Sequence, residues 1–222
     1  MASIPCSLMM KKSKTLKPTF EFETRLWDSG LSHIAGVDEV GRGCFAGPVV
    51  AAAVILPAGF SATDKINDSK KLSPKVRKEL AQVIKKHAVA FSIAEISVPV
   101  INELGIGKAT QQAFKSAITN LTVAPDHILM DAFLITDIAP TVQTPIIHGD
   151  QLSISIAAAS IIAKVYRDEL MEKLHEQYEI YDFFTNKGYG TKKHRDAIGI
   201  HGLCDLHRTS FDLIKFLPSE PL

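Results

Sequence analysis

The chain has 222 residues, 46% of them hydrophobic, enough to bury one substantial core with a small C-terminal appendage. Its 25 basic and 24 acidic residues leave a net charge of only +1, so a nucleic-acid footprint has to be a local patch, not the field of the whole molecule. Cys6, Cys44 and Cys204 contain no Cys-x-x-Cys pair, which argues against a disulfide framework or a zinc site and fits a reducing cytoplasm; no run approaches the ~18 apolar residues of a membrane span.

In chain order, residues 1–17 carry Lys11, Lys12, Lys14 and Lys17 and read as a mobile basic arm. The apolar Ser7-Leu8-Met9-Met10 is too short for a signal sequence, and the lysines follow it instead of preceding it. A short amphipathic helix over residues 19–27 ends at Gly30. Two strands follow, over 33–40 and 47–57. The second is apolar throughout, as expected of a strand covered by helices on both faces, and Gly47-Pro48 turns the chain so that the two pair antiparallel.

The first of these strands holds the feature that most needs explaining. Asp38 and Glu39 stand side by side after an apolar approach, Ile34-Ala35-Gly36-Val37. Side chains alternate across a strand, so the two carboxylates face opposite ways and one of them should be buried. An ionised carboxylate is costly to bury unless it is paired or bound to a metal, and no basic residue precedes the pair. Directly after it, Gly41 and Gly43 remove Cβ where the backbone has to turn or approach a ligand. Arg42 between them offers a planar fork suited to phosphate.

Further along, Asp68-Ser69-Lys70-Lys71-Leu72 is a loop, with Ser73 as N-cap and Pro74 as the first residue of a helix running to His87. A strand over 89–96 precedes a helical pattern over 100–120 with a candidate break at Gly105-Ile106-Gly107. Ile128-Leu129-Met130 is a short strand ending on Asp131, and Ile146-Ile147-His148 another, ending near Asp150. The longest helix pattern covers 153–178, with Ile154, Ala158, Ile161 and Val165 in one stripe and Ala157-Ala158-Ala159-Ser160 small enough to lie close against the sheet. A glycine-punctuated basic loop, Asn186 to His194, leads to a helix around 195–198.

Asp131 and Asp150 both follow short apolar strands, where side chains gather at the strand-end crevice of an open α/β sheet. With Asp38 and Glu39 they could bring four carboxylates to one pocket, and hard Mg²⁺ or Mn²⁺ is the natural counter-ion for such a set. Two such ions about 3.5–4 Å apart can activate a water and stabilise the departing oxygen of a phosphodiester. Taken singly, Asp131 also reads as a turn residue and Asp150 as a cap for the helix that follows. Lys70 and Lys71, with Lys75, Arg77 and Lys78, either track a phosphate backbone or form ordinary solvated surface. Tyr189 either stacks on a sugar or base or folds back onto the domain, and His207-Arg208 either contacts phosphate or caps structure.

Gly36-Val37-Asp38-Glu39-Val40-Gly41-Arg42-Gly43, then Ala46 to Val54, then Asp68-Ser69-Lys70-Lys71-Leu72, closely resembles ribonuclease HII, the bacterial type 2 ribonuclease H. So do Ser155 to Val165 with Arg167-Asp168, Lys187-Gly188-Tyr189-Gly190-Thr191 with His194, and His207-Arg208-Thr209-Ser210-Phe211. The resemblance covers residues 33–211. It implies an α/β chain of the ribonuclease H-like fold, a mixed five-stranded sheet flanked by helices, with a C-terminal helical extension over the substrate groove. On that basis the arm of 1–17 is followed by a catalytic domain over 18–211 and a tail over 212–222. The resemblance also implies metal-binding acids at Asp38, Glu39, Asp131 and Asp150, and joint reading of an RNA-to-DNA junction by Gly41, Arg42, Gly43 and Tyr189. Lys70 and Lys71 would hold the nucleic-acid backbone, and Lys164 and Arg167 would be structural or contact it. Asp168 reads as helix surface.

The implied reaction is hydrolysis of the RNA strand of RNA–DNA hybrids, with cutting 5′ to a ribonucleotide embedded in duplex DNA, by a cytoplasmic monomer using two Mg²⁺ or Mn²⁺ ions. One departure concerns Asp131, because the family usually follows this acid with glycine and here Ala132 stands there. Among rivals, ribonuclease HIII normally adds an N-terminal domain and lacks Gly-Arg-Gly. A glycosidase would need carboxylates about 5–9.5 Å apart across a sugar, which neighbours on one strand poorly provide. A non-catalytic nucleic-acid-binding module would have no use for acids that repel phosphate.

Overall fold

The computed structural model describes residues 17–61 and 65–217; apart from Lys17 the basic arm lies outside the described residues, as do 218–222 of the tail. At the centre is a five-stranded mixed sheet in the order β3-β2-β1-β4-β5. Strand β1 (Ile34–Val40) pairs antiparallel with β2 (Val49–Ile55), and β2 antiparallel with β3 (Ala90–Ile96). On the other side β1 pairs parallel with β4 (His127–Asp131), and β4 parallel with β5 (Gln143–Ile146).

Helices cover both faces, which is why β2 can be apolar along its whole length. Helix α3 (Val98–Thr119) packs Phe114, Ala113 and Ile101 against Ala35, Val37, Ala51 and Ala53. On the opposite face α2 (Pro74–His87) and α4 (Ile154–His175) pack Leu80, Ile84, Ala158 and Ile161 against Val50, Ala52 and Val54. Ser73 caps α2 by accepting the Val76 N–H, and Ser153 caps α4 by accepting the Ile156 N–H. The break in α3 falls at Gly105, whose φ of 77° no right-handed helix contains. Close approach of α4 to β1 depends on Gly36, because a Cβ there would lie 2.0 Å from the Ser155 backbone carbon.

The short helix α1 (Glu21–Asp28) precedes β1 and ends as expected, with the Gly30 N–H donating to Trp27 O. It does more than pack its apolar side: Glu23 is fully buried and accepts from the Ser153 hydroxyl at 2.6 Å and the Ser155 N–H at 2.9 Å, at the start of α4. The C-terminal extension holds α5 (Phe183–Asn186) and α6 (Lys192–His201) around Tyr181, Phe183, His194 and His207. Thr191 caps α6, so this helix starts earlier and runs longer than the 195–198 segment of the sequence reading. Part of the expected tail docks too: Leu213 is buried, and the Phe216 ring lies 5.6 Å from that of Phe45.

Strand β5 departs from expectation. The apolar run Ile146-Ile147-His148 is not its body; the strand is Gln143–Ile146, Ile147 is 74% exposed and His148 takes left-handed backbone. An edge strand needs hydrogen bonds on one side only, which is why it tolerates Pro145.

Candidate active site

Alternation along β1 sends Asp38 toward α4 and Glu39 to the other side, as the strand pattern requires. Asp38 is 5% exposed, and its Oδ1 accepts the Glu39 N–H at 2.7 Å. Burial, then the charges of Glu39 and Asp131, push its carboxyl well above the usual carboxylate range, against a hydrogen bond from Ser160 of α4. The Ser160 hydroxyl also shares a 3.0 Å hydrogen bond with that of Ser69. Glu39, 13% exposed at its side chain, is likewise raised by burial, with Arg42 pulling the other way.

Parallel pairing of β1 with β4 brings Asp131 to the same sheet end. Its carboxylate accepts the Gly149 N–H at 2.7 Å, while burial and the neighbouring Asp150 raise it. Asp150 is buried in the turn Gly149–Gln151, and Ser153, not Asp150, caps α4. Lys70 reaches from the turn Ser69–Lys71 to within 3.3 Å of Asp150 Oδ2. Burial opposes the Lys70 charge, yet Asp150, Asp68 and Asp38 outweigh it and hold the ammonium above the ordinary lysine range. Lys71, partly exposed, stands 4.0 Å from Asp68.

The departure at Ala132 is one of side chain and not of backbone. Ala132 has φ 61°, the left-handed region that favours glycine, so the backbone after Asp131 keeps a glycine-type turn that this sequence fills with alanine.

Two loops frame the acids. Gly41 has φ 92°, and a Cβ on it would strike the Arg167 guanidinium at 2.2 Å, so glycine is required there. At Gly43 no neighbouring atom lies within 4 Å of such a Cβ; its bareness answers to no need inside the protein. The Arg42 guanidinium lies 3.7 Å from Glu39 and 4.6 Å from the centre of the Phe133 ring. Tyr189 is 40% exposed, neither free in solvent nor fully folded back, with the Lys164 ammonium 5.7 Å from its ring. The loops are stitched together: Phe45 N–H donates to Gly188 O at 2.8 Å, and Cys44 Sγ lies 3.8 Å from Lys187 O.

Two buried arginines hold this frame. Arg167 donates to the carbonyls of Pro48, Lys187 and Ala46 at 2.8–3.0 Å. Arg208 donates to Gly47 O and, at 2.9 Å, to Arg42 O, and burial lowers its pKa to about 10. Both therefore hold the frame from inside and meet no phosphate, and His194 and His207 are likewise fully enclosed. Arg77 is likewise no phosphate contact: it is buried, donates to Ser69 O and Leu72 O, and pairs with Asp168 at 3.3 Å. Asp168 also takes Lys164 at 2.6 Å, so it is a half-buried tie and not open helix surface. Sequence reasoning gave Ser69, Ser160 and Phe133 no role at the site, and nothing in local composition marks them.

The donor set is chemically suited to a hard divalent cation: buried carboxylate oxygens whose charges Lys70, Arg42 and, at Asp131, His148 offset in part. Among the described residues no three acidic, histidine or cysteine side chains stand close enough together to hold a metal as they are placed, and Lys70 occupies the Asp150 carboxylate.

A mixed five-stranded sheet with helices on both faces and acids at one sheet end defines a ribonuclease H-like protein. The ribonuclease H2 of Pyrococcus horikoshii OT3 superposes with TM-score 0.68 over 82% of this chain and 95% of its own, at 23% identity. Bst-RNase HIII in complex with Mn²⁺ gives TM-score 0.65 over 83% of this chain but only 68% of its own, at 22% identity. Residues 35–214 match the family model of ribonuclease HII, and a ribonuclease HII of Bacillus cereus is 47% identical over 94% of this chain and 80% of its own length. The chain belongs to the ribonuclease HII family, endonucleases that hydrolyse the RNA of RNA–DNA hybrids.

Proposed function

We propose that this ribonuclease H also cuts 5′ to ribonucleotides embedded in duplex DNA, leaving 3′-hydroxyl and 5′-phosphate ends, with Asp38, Glu39, Asp131 and Asp150 holding two Mg²⁺ or Mn²⁺ ions. The observation that carries this is the gathering of carboxylates with raised pKa at the end of β1 and β4, a cost that folding alone does not explain. Bound there, divalent ions supply an activated water and a counter-charge for the departing oxygen. Ser160 and the Glu39 N–H orient Asp38, and the Gly149 N–H orients Asp131. Lys70 balances Asp150 until a cation does so, and is then free to meet a phosphate of the backbone beside Lys71.

Recognition falls to the two stitched loops. The open space at Gly43 admits a ribose, whose 2′-hydroxyl the backbone of Gly41-Arg42-Gly43 can bond, while Tyr189 offers a face for stacking on the following sugar. Arg42, pre-placed by Glu39 and Phe133, supplies charge to the adjoining phosphate. We place the enzyme in the cytoplasm, as a monomer; the free thiols Cys44 and Cys204 agree with a reducing compartment, and no described helix is long and apolar enough to cross a membrane.

The test is incubation with duplex DNA carrying one ribonucleotide, with Mg²⁺ or Mn²⁺, and mapping of the ends. Cleavage 5′ to the ribonucleotide in the native enzyme, lost in Asp38→Asn, is the expected result. An uncut duplex, or a cut elsewhere, refutes the reading.

A further inference from the structure

A chain of hydrogen bonds leads from the C-terminal extension to the loop of Tyr189. The His207 Nδ1 lies 2.9 Å from the Cys204 backbone nitrogen, 3.2 Å from its sulfur and 3.3 Å from its carbonyl; because the Tyr189 carbonyl at the far end of the chain can only accept, the ring proton of His207 sits on Nε2 and its Nδ1 accepts the Cys204 N–H. That Nε2–H donates to His194 Nε2 at 3.1 Å, which leaves His194 its proton on Nδ1, and the Nδ1–H donates to the Tyr189 carbonyl at 2.9 Å. Each ring nitrogen then has a donor or acceptor role that suits two neutral imidazoles. The rings of Tyr181, Phe183 and Phe45 enclose the pair, at 4.7 Å from His207 and 5.4 and 6.0 Å from His194 respectively. The same Tyr189 carbonyl accepts the Thr191 N–H at 2.8 Å, so it fixes both Tyr189 and the cap of α6.

We propose that His207, acting through His194, is a positioning residue that sets Tyr189 for the substrate. The neighbouring Arg208 holds the Arg42 carbonyl, so two consecutive residues of the extension reach the two loops that read the junction. A structural residue alone would need no matched tautomers. A leucine would fill the space at 207 among these rings, yet it would leave the His194 Nε2 buried without a donor. The proposal rests on Tyr189 touching substrate, and the experiment separates the two.

Steady-state cleavage of the one-ribonucleotide duplex is measured for His207→Leu, for His207→Gln, which keeps a donor toward His194, and for both in a Tyr189→Ala background. Hydrogen exchange at the Tyr189 and Thr191 amides is followed alongside. His207→Leu is expected to raise KM by about 3- to 10-fold with kcat little changed, the loss of one buried hydrogen bond. It should also speed exchange at both amides; His207→Gln should restore both, and the Tyr189→Ala background should abolish the KM effect. Unchanged exchange in the loop, no rescue by glutamine, or an equal KM rise without the tyrosine ring overturns the proposal. Should Tyr189→Ala alone leave KM unchanged while exchange responds as described, the substrate role of Tyr189 fails and the positioning of its loop stands. If His207→Leu does not fold, a His207→Gln enzyme with native exchange and KM beside a His194→Leu enzyme with fast exchange decides in favour, and any other pairing decides against.

Discussion

Asp38 is where folding and function conflict most plainly. Its folded-state pKa lies above the unfolded value, so between those values the native state binds more protons, and stability falls as pH rises through that window. At neutral pH its charge is thus a standing cost of the cation-free protein. Asp38→Asn should raise the melting temperature at pH 7 in chelator, with the gain vanishing in acid below the unfolded pKa, and should cost about 10²–10³ in kcat. Paired melting curves and turnover assays check both signs. Ala132→Gly tests the reverse case, a residue strained by its backbone. Relief of a left-handed alanine should stabilise by about 1 kcal/mol, a rise of about 2–4 °C in Tm, readable by thermal or urea unfolding. A destabilised Ala132→Gly protein would contradict the strain. The Asp38–Glu39 pair was legible in the sequence because two carboxylates in an apolar strand have no cheap explanation. For Arg167 and Arg208 the structural and phosphate-binding readings both stayed open, since charged side chains ordinarily go to the surface and their carbonyl partners lie far away in the chain.

Between elements, the tightest dependence is β1 on α4. Gly36→Ala places a Cβ against the Ser155 backbone, which no side-chain rotation can relieve, and should destabilise by about 3 kcal/mol or more or prevent folding. Chemical denaturation measures it. The extension depends instead on neutral histidines: burial lowers His194, and burial with the charge of His194 lowers His207 to about 4. Folded-state values below the unfolded histidine value mean stability fully present above that value, near pH 6.5, and lost as pH falls toward about 4. Protection of the α6 amides, measured against their intrinsic exchange rate at each pH, should therefore fall across that window before the sheet opens, and protection independent of pH there would refute it. The cap of α2 at Ser73 with Pro74 and the interruption at Gly105 were readable locally, whereas the cap of α4 was not: Asp150 offered itself for it and Ser153 makes it. The place of β5 was not, because an apolar run, Ile146-Ile147, outweighed the quieter Gln143–Ile146 segment whose pairing with β4 only the assembled sheet decides.

At the scale of the molecule, the convergence of Asp131 and Asp150 on Asp38 follows from parallel pairing of β1, β4 and β5, a long-range fact that no local pattern states. The family resemblance implies the four-acid set, and the strand pairing explains why Asp131 acts on Asp38 and Asp150 on Asp131. On the proposed reading, divalent cations relieve the crowded carboxylates, and the same cations make the site a nuclease. Titration of chelator-treated enzyme with Mn²⁺, following melting temperature and cleavage of the one-ribonucleotide duplex together, tests it most directly. Both should rise over the same concentration range in the native chain, and neither should in Asp38→Asn. Cleavage that persists in chelator, or a native Tm that ignores Mn²⁺ while cleavage responds, would contradict it.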